Sequence, residues 1–300
     1  MIMKDLLRKL KFLLIFCIIL FPILKIDMAN SDQISKDIFE NNIESTDYWA
    51  ILFAVGIYKN NTDQNRLSMF KAADDLYETL LKYDNWNEDN IHLIKGEEAT
   101  GQNLIKELLW LIKNEDRNDY SLIYLTTHGS PLKDQNGNFI DIPPKDESDG
   151  SDEILIMYEG FENWYSFIWD DLLNFFLGML QSKGVCLIVD SCYSGGFNDE
   201  YNQNFIGDNL YSFNSEFGKE LASNDRVILM SSEENNVSYG SYFSFHLIDG
   251  FNGNADIQGN NNGINSAEES FYYAQNIVDS WGWQHPTILD NFPGEFPITF

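Results

Sequence analysis

The feature that most limits the possible folds is a regular alternation of apolar runs with amphipathic stretches. Continuous apolar runs, typical of strands buried on both faces, occur at 49–57, 91–96, 121–129, 153–158, 184–192 and 226–232. Apolar residues at three- and four-residue spacing predict helices over 65–83, 99–114, 167–183, 241–251 and 267–278. Thr100 is the expected N-cap of the second helix. This order predicts an α/β protein with a mainly parallel central sheet flanked by helices.

The N-terminal segment differs from the rest of the chain. Four basic residues (Lys4, Arg8, Lys9 and Lys11) precede a thirteen-residue apolar run, Phe12–Leu24. As a helix this run would span ~20 Å, less than the ~30 Å hydrocarbon core of a bilayer. The pattern predicts a signal peptide over 1–29, or an uncleaved N-terminal anchor, and therefore a secreted or cell-envelope protein.

Beyond the leader, we expect a polar linker over 30–48 and one domain over 49–300. The chain has 47 Asp and Glu against 19 Lys and Arg, a formal net charge of −28. Such a surface repels phosphate backbones, which excludes a general nucleic-acid binder, and it favours divalent cations or basic partners. Membrane contact is expected only through the N-terminal segment.

Cysteine placement is informative. Of the three cysteines, Cys17 lies in the leader, while Cys186 and Cys192 lie in one predicted strand. Six strand residues span ~20 Å, whereas a disulfide needs Cα atoms within ~7 Å, so these two cannot pair with each other. Cys186 is expected in the core, and Cys192 stands at the strand end. The absence of a Cys-x-x-Cys motif disfavours a thiol redox protein.

Two predicted strands end in reactive residues. One ends at His128–Gly129 and the other at Cys192. Because the carboxyl ends of parallel strands meet at one edge of a sheet, these residues are expected to face one cleft. A histidine there can take the proton of a thiol, and the N–H of a glycine can approach a substrate carbonyl closely. The residues alone predict a Cys–His dyad for acyl transfer.

These two strand ends resemble the caspase and legumain clan of cysteine peptidases. An apolar strand followed by His-Gly precedes an apolar strand followed by Asp-Ser-Cys, and the string DSCYSGG (190–196) is most similar to metacaspases and to prokaryotic caspase-like peptidases. The resemblance covers roughly residues 49–290. It implies a caspase-hemoglobinase-like fold and a cysteine endopeptidase acting on protein or peptide substrates, with no cofactor required for the chemistry.

The resemblance also implies roles for individual residues. His128 would be the general base and Cys192 the nucleophile, with the N–H groups of Gly129 and Cys192 as the oxyanion hole. Asp190, two residues before the nucleophile, would line the pocket for the residue preceding the scissile bond, as would Thr126. A carboxylate there favours Arg or Lys, so cleavage after basic residues is expected.

Metacaspases often bind calcium through scattered aspartates. The positions that match here are Asp152, Asp170, Asp171 and Asp199. Carboxylate oxygens from several loops suit Ca2+. The competing interpretation is that Asp170 and Asp171 simply begin a helix, where acidic residues complement the helix dipole.

A second candidate calcium loop lies near the C-terminus. EF-hand positions three, five, six, nine and twelve fall on Asn260, Asn262, Gly263, Ser266 and Glu269. The first position is then Gln258, a neutral ligand, and Asp256 lies two residues too early. The spacing therefore predicts a degenerate or lost site.

Two alternatives to an Arg/Lys-specific peptidase are open. The first is a legumain-type peptidase or transpeptidase that prefers Asn. The second is a catalytically inactive binding module on the same fold, which would present its acidic face to a calcium-dependent partner. Cleavage after Asn rather than after Arg or Lys would identify the legumain-type alternative. An unreactive Cys192 thiol would favour the binding module.

Overall fold

A computed structural model describes residues 45–134, 136–142, 152–161, 166–193, 225–231, 241–282 and 284–300, excluding the side chains of Cys192 and Tyr193. Residues 46–300 form one compact unit. The predicted leader and almost all of the predicted linker lie outside the described residues, as does Asp199. None of the helices within the described ranges is long and apolar enough to cross a membrane.

Strands and helices alternate along this unit. The strands are β1 Tyr48–Ala54, β2 Ile91–Lys95, β3 Tyr120–Pro131, β4 Glu153–Ile156, β5 Phe167–Trp169, β6 Gly184–Tyr193, β7 Arg226–Met230, β8 Asn265–Ser266, β9 Thr287–Asp290 and β10 Pro297–Thr299. The helices are α1 Ser68–Leu80, α2 Gly101–Asn114, α3 Asp170–Leu177, α4 Tyr242–Asp249, α5 Ala255–Gln258 and α6 Ala267–Asp279, with a π-helical turn at Gly250–Asn254 between α4 and α5.

The central sheet confirms the predicted α/β class. Its main order is β2-β1-β3-β6-β7-β9. The first five strands in this order are parallel, and β9 closes the edge antiparallel to β7. The short strands β4 and β5 extend the sheet from the end of β3 in antiparallel pairing. The longest pairing runs between β3 and β6, over ten residue pairs from Tyr120↔Gly184 to Gly129↔Tyr193.

Both faces of the sheet are buried, which explains why the central strands read as unbroken apolar runs. One face contributes Leu52, Leu122, Ile188 and Leu229 to a core that includes Leu76 of α1, Phe243 of α4 and Phe271 of α6. On that side the rings of Phe243 and Phe271 meet edge to face at 5.9 Å. This helical layer lies under the strand ends that carry the candidate site.

Two helices begin with a side-chain N-cap. The hydroxyl of Thr100 accepts the N–H of Asn103 at 3.2 Å, which confirms the predicted N-cap of α2. Ser266 caps α6 in the same way, through the N–H of Glu269.

The predicted helix over 167–183 is wrong at both ends. Its first three residues form β5, because Phe167 to Trp169 pair with β4 rather than continue a helix. The helix begins at Asp170, as the competing interpretation of the two aspartates held, and ends at Leu177. The C-terminal tail also contains two strands, β9 and β10, that periodicity did not predict because each is short and only partly apolar.

Candidate active site

The ends of β3 and β6 bring the predicted dyad together along the backbone. His128 and Cys192 are direct partners in the parallel register, and one step earlier Thr126 is the partner of Asp190. Because side chains two residues apart on a strand share a face, all four positions lie on the same face of the sheet. The thiol of Cys192 lies outside the described atoms.

The imidazole of His128 is held in a defined orientation. Its ring is buried, with 2% of the residue exposed. Nε2 lies 2.9 Å from the carbonyl oxygen of Gln64, which can only accept a hydrogen bond, so Nε2 carries the proton. Nδ1 is buried and has no hydrogen-bond partner among the described residues. In this tautomer the lone pair of Nδ1 is the free basic position.

The charge state of His128 follows from its burial. Desolvation lowers the pKa of His128 to about 4, the hydrogen bond to Gln64 opposes the shift, and the nearby positive charge of Arg66 adds to it. The ring is therefore neutral at physiological pH and able to accept a proton.

Tyr58 fixes both the ring and the backbone of His128. The two rings stack with centroids 5.1 Å apart, and the phenol oxygen accepts the N–H of His128 at 3.0 Å. Thr127 donates its single hydroxyl proton to the carbonyl of Ile156. The 3.0 Å contact between Tyr58 and Thr127 is therefore donated by the phenol. Tyr58 thus links the segment after β1 to β3, and Thr127 continues this chain of hydrogen bonds to β4.

Sequence reasoning did not identify Tyr58 or Gln64 as part of this site. Both lie in the segment after β1, where the chain returns along the open end of the sheet, and Phe161 covers the His128 ring from another loop at 5.8 Å. Gln64 acts through its main-chain carbonyl, so its side-chain type carries no signal. The only available clue was an aromatic residue with hydrogen-bonding capacity at the end of a buried strand.

Asp190 is buried, and its carboxylate ends a series of hydrogen-bonded polar side chains. It is 2% exposed, and the hydroxyl of Ser244 on α4 donates to its Oδ2. The phenol of Tyr124 lies 2.9 Å from the same serine oxygen and donates to it, because the serine proton is already used. Burial raises the pKa of Asp190, which the hydrogen bonds from Ser244 and Ser231 partly offset.

The other two predicted site residues lie close by in β3. Thr126 is 1% exposed. Gly129 pairs with Tyr193 of β6 on one side and with Leu155 of β4 on the other, one residue beyond the histidine. Thr126, His128 and Gly129 therefore follow one another along β3 toward its carboxyl end, each paired with a residue of β6.

Three of the four predicted calcium ligands form an acidic cluster beside β4 and α3. Asp152 and Asp170 have no exposed surface, and Asp171 is half-buried. Desolvation raises the pKa of Asp152 to about 6, with the charges of Asp171 and Asp141 adding to the shift. Desolvation and the charge of Asp152 raise the pKa of Asp170 to about 7.

Carboxylate oxygens are the ligand type that Ca2+ prefers, and the negative charges of this cluster repel one another in a buried place. Within the described ranges, however, no group of three or more His, Cys, Asp or Glu side chains is arranged to hold a metal ion. The main-chain N–H of Ile142 donates to Asp152, which fixes one of its oxygens. The fourth predicted ligand, Asp199, lies outside the described residues.

Comparison with known families agrees with the resemblance read from the motifs. Residues 61–200 match the family model described as metacaspase, peptidase C14 domain. This range contains both His128 and Cys192.

Similar proteins are fungal metacaspases. The chain is 30% identical over 133 residues to Metacaspase-1 of Candida albicans, an alignment covering 41% of this chain and 28% of that protein. It is 32% identical over 98 residues to Metacaspase-1 of Saccharomyces cerevisiae, covering 32% of this chain and 20% of that protein. The chain thus spans between a fifth and three tenths of the length of these relatives.

A solved structure has the same fold. Protein GSU0716 from Geobacter sulfurreducens superposes with a TM-score of 0.55 at 16% identity, covering 84% of this chain and 98% of that one. At this identity the likeness concerns the fold alone. Together with the family match, it confirms the predicted caspase-like architecture.

Proposed function

Because residues 61–200 of this chain are metacaspase-like, we propose that it is a cysteine endopeptidase that cleaves after Arg or Lys. The observation that carries the proposal is the register pairing of His128 with Cys192, combined with a neutral imidazole whose Nδ1 is free of hydrogen bonds from the described residues.

In the proposed mechanism, His128 Nδ1 takes the proton of the Cys192 thiol as the sulfur attacks the substrate carbonyl. The Nε2–H bond to Gln64 holds the ring in the tautomer that can do so. The resulting imidazolium donates its proton to the leaving amine, which departs and leaves an acyl-enzyme on Cys192. Water, deprotonated by the same imidazole, then hydrolyses the thioester.

The tetrahedral intermediate carries a negative oxygen that needs hydrogen-bond donors. The main-chain N–H groups of Gly129 and Cys192 are the proposed donors, since both belong to the strand ends at the dyad. Two such donors are worth several kcal/mol in a water-poor site, because removing one costs roughly 3 kcal/mol in well-studied hydrolases.

Specificity is proposed to come from Asp190, with Thr126 beside it. Support comes from the register, which sets this pair one step below His128 and Cys192 on the same face. Burial now disfavours the charged form of the Asp190 carboxylate. A substrate guanidinium bound beside it would stabilise that charged form. The hydroxyl of Ser244 would orient the carboxylate for bidentate pairing.

Calcium is proposed as an activator rather than a participant in the chemistry. Asp152, Asp170 and Asp171 would hold it, with Asp199 as a further ligand. A bound Ca2+ would neutralise the mutual repulsion of these carboxylates. Calcium bound at these aspartates would fix the position of β4, which begins directly after Asp152. Because β4 pairs with Gly129 and Ser130 of β3, this would also fix the strand end next to His128.

The test is a peptidase assay on the purified full chain under reducing conditions. Fluorogenic peptides ending in Arg, Lys, Asn or Asp are compared in calcium and in chelator. We expect turnover of Arg and Lys peptides, lost in Cys192→Ala and retained in Cys186→Ala. The second variant is the matched control, because it removes a thiol from the same strand at a fully buried position.

Each other outcome has a definite meaning. Turnover of Asn peptides would identify the legumain-type alternative. Absence of turnover together with an unreactive Cys192 thiol would identify the binding module. Asp190→Asn keeps an acceptor for Ser244 while removing the charge, so unchanged preference for Arg in that variant would refute the specificity assignment.

The proposal that the protein is secreted or bound to the cell envelope rests on the signal-peptide pattern of residues 1–29 alone. Cell fractionation and N-terminal sequencing of the mature protein would test it, with a new N-terminus near residue 30 expected in the secreted fraction or the cell envelope.

A further inference from the structure

The segment from Asp256 in α5 to Glu269 in α6 contains two buried carboxylate oxygens that no described group satisfies. They are Oδ1 of Asp256 and Oε2 of Glu269. Unpaired carboxylate oxygens in a protein interior are costly, and the usual remedies are a donor or a cation. This segment is far in sequence from the acidic cluster at β4 and from the catalytic strands.

Asp256 faces into the loop that follows it. Only 8% of the residue is exposed, although it lies in a short four-residue helix. Its Oδ2 accepts the main-chain N–H of Gly263 at 3.1 Å, and its main-chain carbonyl accepts the N–H of Asn261 at 3.0 Å. The second carboxylate oxygen, Oδ1, is the unsatisfied one.

Glu269 closes the loop from the other side. It belongs to the first turn of α6, and its Oε1 accepts the N–H of Asn260 at 2.9 Å. The carboxylate lies directly over Gly259, where a Cβ would meet Oε1 at 2.3 Å, so a side chain there would displace the Glu269 carboxylate. Each of the two carboxylates therefore uses one oxygen to organise the loop backbone and leaves one oxygen free.

The asparagines between them are oriented by a third acidic residue. The side-chain amides of Asn260 and Asn262 both donate to the carboxylate of Glu295. Their oxygens accept the N–H groups of Asn262 and Ile264, at 3.0 and 2.8 Å. A carbonyl oxygen has two lone pairs, so each keeps one for a further ligand.

We propose that the loop from Asp256 to Glu269 is a calcium site, with these two carboxylates as its charged ligands and neutral loop oxygens completing its coordination. Calcium tolerates irregular oxygen coordination and mixes carboxylate, amide, main-chain and water ligands. Magnesium demands a smaller octahedron and retains its water, which fits an irregular helix–loop–helix less well.

The structure also explains why spacing alone indicated a lost site. An EF-hand count assigns position one to Gln258, and Asp256 comes two residues earlier. Left-handed conformations at Asn261 and Gly263, with φ of 54° and 88°, fold the longer loop back onto α5. This brings the Gly263 N–H to Asp256, so the early aspartate replaces the neutral residue as the charged ligand.

Calcium binding is measured on the full chain carrying Cys192→Ala and Asp170→Asn, which removes self-cleavage and disables the acidic cluster. Isothermal titration with CaCl2 should still detect one site, and calcium should raise the thermal midpoint. Asp256→Asn and Glu269→Gln each retain an acceptor for the loop N–H. We expect either change to weaken this binding by about tenfold or more, since ligand charge sets calcium affinity.

Asp249→Asn serves as the matched control, because it makes the same change at an exposed residue of α4. It should leave calcium binding unaltered, and circular dichroism checks that all variants fold. Equal affinity in Asp256→Asn, Glu269→Gln and the control would overturn the proposal, as would the absence of any site in the parent. Neither result would affect the peptidase assignment, which is assayed separately.

Discussion

The surroundings of His128 and the acidic cluster of Asp152, Asp170 and Asp171 are both buried and ionisable, yet burial has opposite consequences in the two places. Desolvation favours the neutral form of each group. For His128 the neutral form is the proton acceptor that the proposed chemistry needs. For the aspartates it is a protonated carboxyl, which is a poor metal ligand.

The difference lies in what each region supplies to its buried group. Burial keeps His128 neutral, with the Tyr58 and Phe161 rings packed against the imidazole, and the Gln64 carbonyl fixes the proton on Nε2 although its hydrogen bond opposes the pKa shift. For the aspartates, burial is joined by neighbouring negative charges: Asp171 and Asp141 raise the pKa of Asp152, and Asp152 and Asp171 raise the pKa of Asp170. The first region holds its group in the form that the proposed chemistry needs, whereas the second disfavours the charged carboxylates that the proposed calcium would bind.

The largest effect is expected from removing the base. His128→Ala should lower kcat/KM by about a thousandfold, because a positioned general base contributes on the order of 10^2 to 10^4. The assay is hydrolysis of an Arg peptide at saturating calcium. His285→Ala, a half-buried histidine paired with Asp279, is the control and should retain parental activity. Loss of less than tenfold in His128→Ala would show that another group acts as base.

The pH dependence of folding should have opposite signs in the two regions. The pKa of Asp170 is raised to about 7 from an ordinary 3.8, so its protonated form stabilises the fold at low pH, and this contribution is lost as pH rises from about 4 through 7. Asp170→Asn should therefore raise the unfolding free energy at pH 8 in chelator, on the order of 2–4 kcal/mol.

Urea unfolding at pH 5 and pH 8 measures this effect, with Asp249→Asn as an exposed control. Calcium should raise the stability of the parent at pH 8 and should do so less in Asp170→Asn, where only the proposed site at Asp256 and Glu269 is left. A variant less stable than the parent in chelator at pH 8 would contradict the picture of a repulsive, cation-dependent cluster.

The acid limb of activity should reflect the pKa of His128. Because burial lowers this pKa to about 4, the ring remains a base well below the usual histidine range. We expect kcat/KM to fall with a midpoint near pH 4 to 5 rather than near 6.5. The measurement is a pH profile at constant ionic strength and saturating calcium. A midpoint above 6 would mean that His128 is solvated in the working enzyme.

A smaller effect is expected from Tyr58→Phe, which keeps the stacked ring but removes the hydroxyl that holds His128 and Thr127. Losing one buried hydrogen-bonding group costs about 1–1.5 kcal/mol, so kcat should fall roughly tenfold with little change in KM. The ring of Tyr77, whose hydroxyl contacts Glu88 at the surface, provides the control Tyr77→Phe. A shift confined to KM would argue against a positioning role.

The smallest effect should come from Thr100→Ala, which removes the N-cap of α2 away from both regions. The expected loss is about 1 kcal/mol of folding stability with unchanged kcat/KM. Chemical denaturation and the peptide assay measure the two quantities on the same preparation. A marked loss of activity here would show that the strand ends are sensitive to the packing of distant helices.

Much of this fold could be predicted from the sequence because its strongest signals are local or periodic. Apolar runs placed the five parallel strands, and the polar residues at their ends placed His128 and Cys192 at one edge. Helix ends with a side-chain acceptor, such as Thr100, were also predictable. Strands β5, β9 and β10 were not predicted because they are short and stabilised by their partners rather than by their own pattern.

The supporting atoms of the candidate site escaped sequence reasoning for a different reason. Gln64 contributes a main-chain carbonyl, which any residue would provide. Ser244 reaches Asp190 from a helix 54 residues away in the chain. Neither contact has a composition or spacing that marks it, because only packing of the helical layer under the sheet brings these atoms together.

The sequence by itself determined the α/β class and the mainly parallel sheet, and it predicts His128 and Cys192 as the two reactive residues, since hydrophobic periodicity and strand polarity are properties of the chain. Only the tertiary structure decided the tautomer of His128, the burial of Asp190 and the return of Asp256 to its loop. Protonation, desolvation and loop closure depend on which groups surround an atom in space, and those groups come from distant parts of the chain.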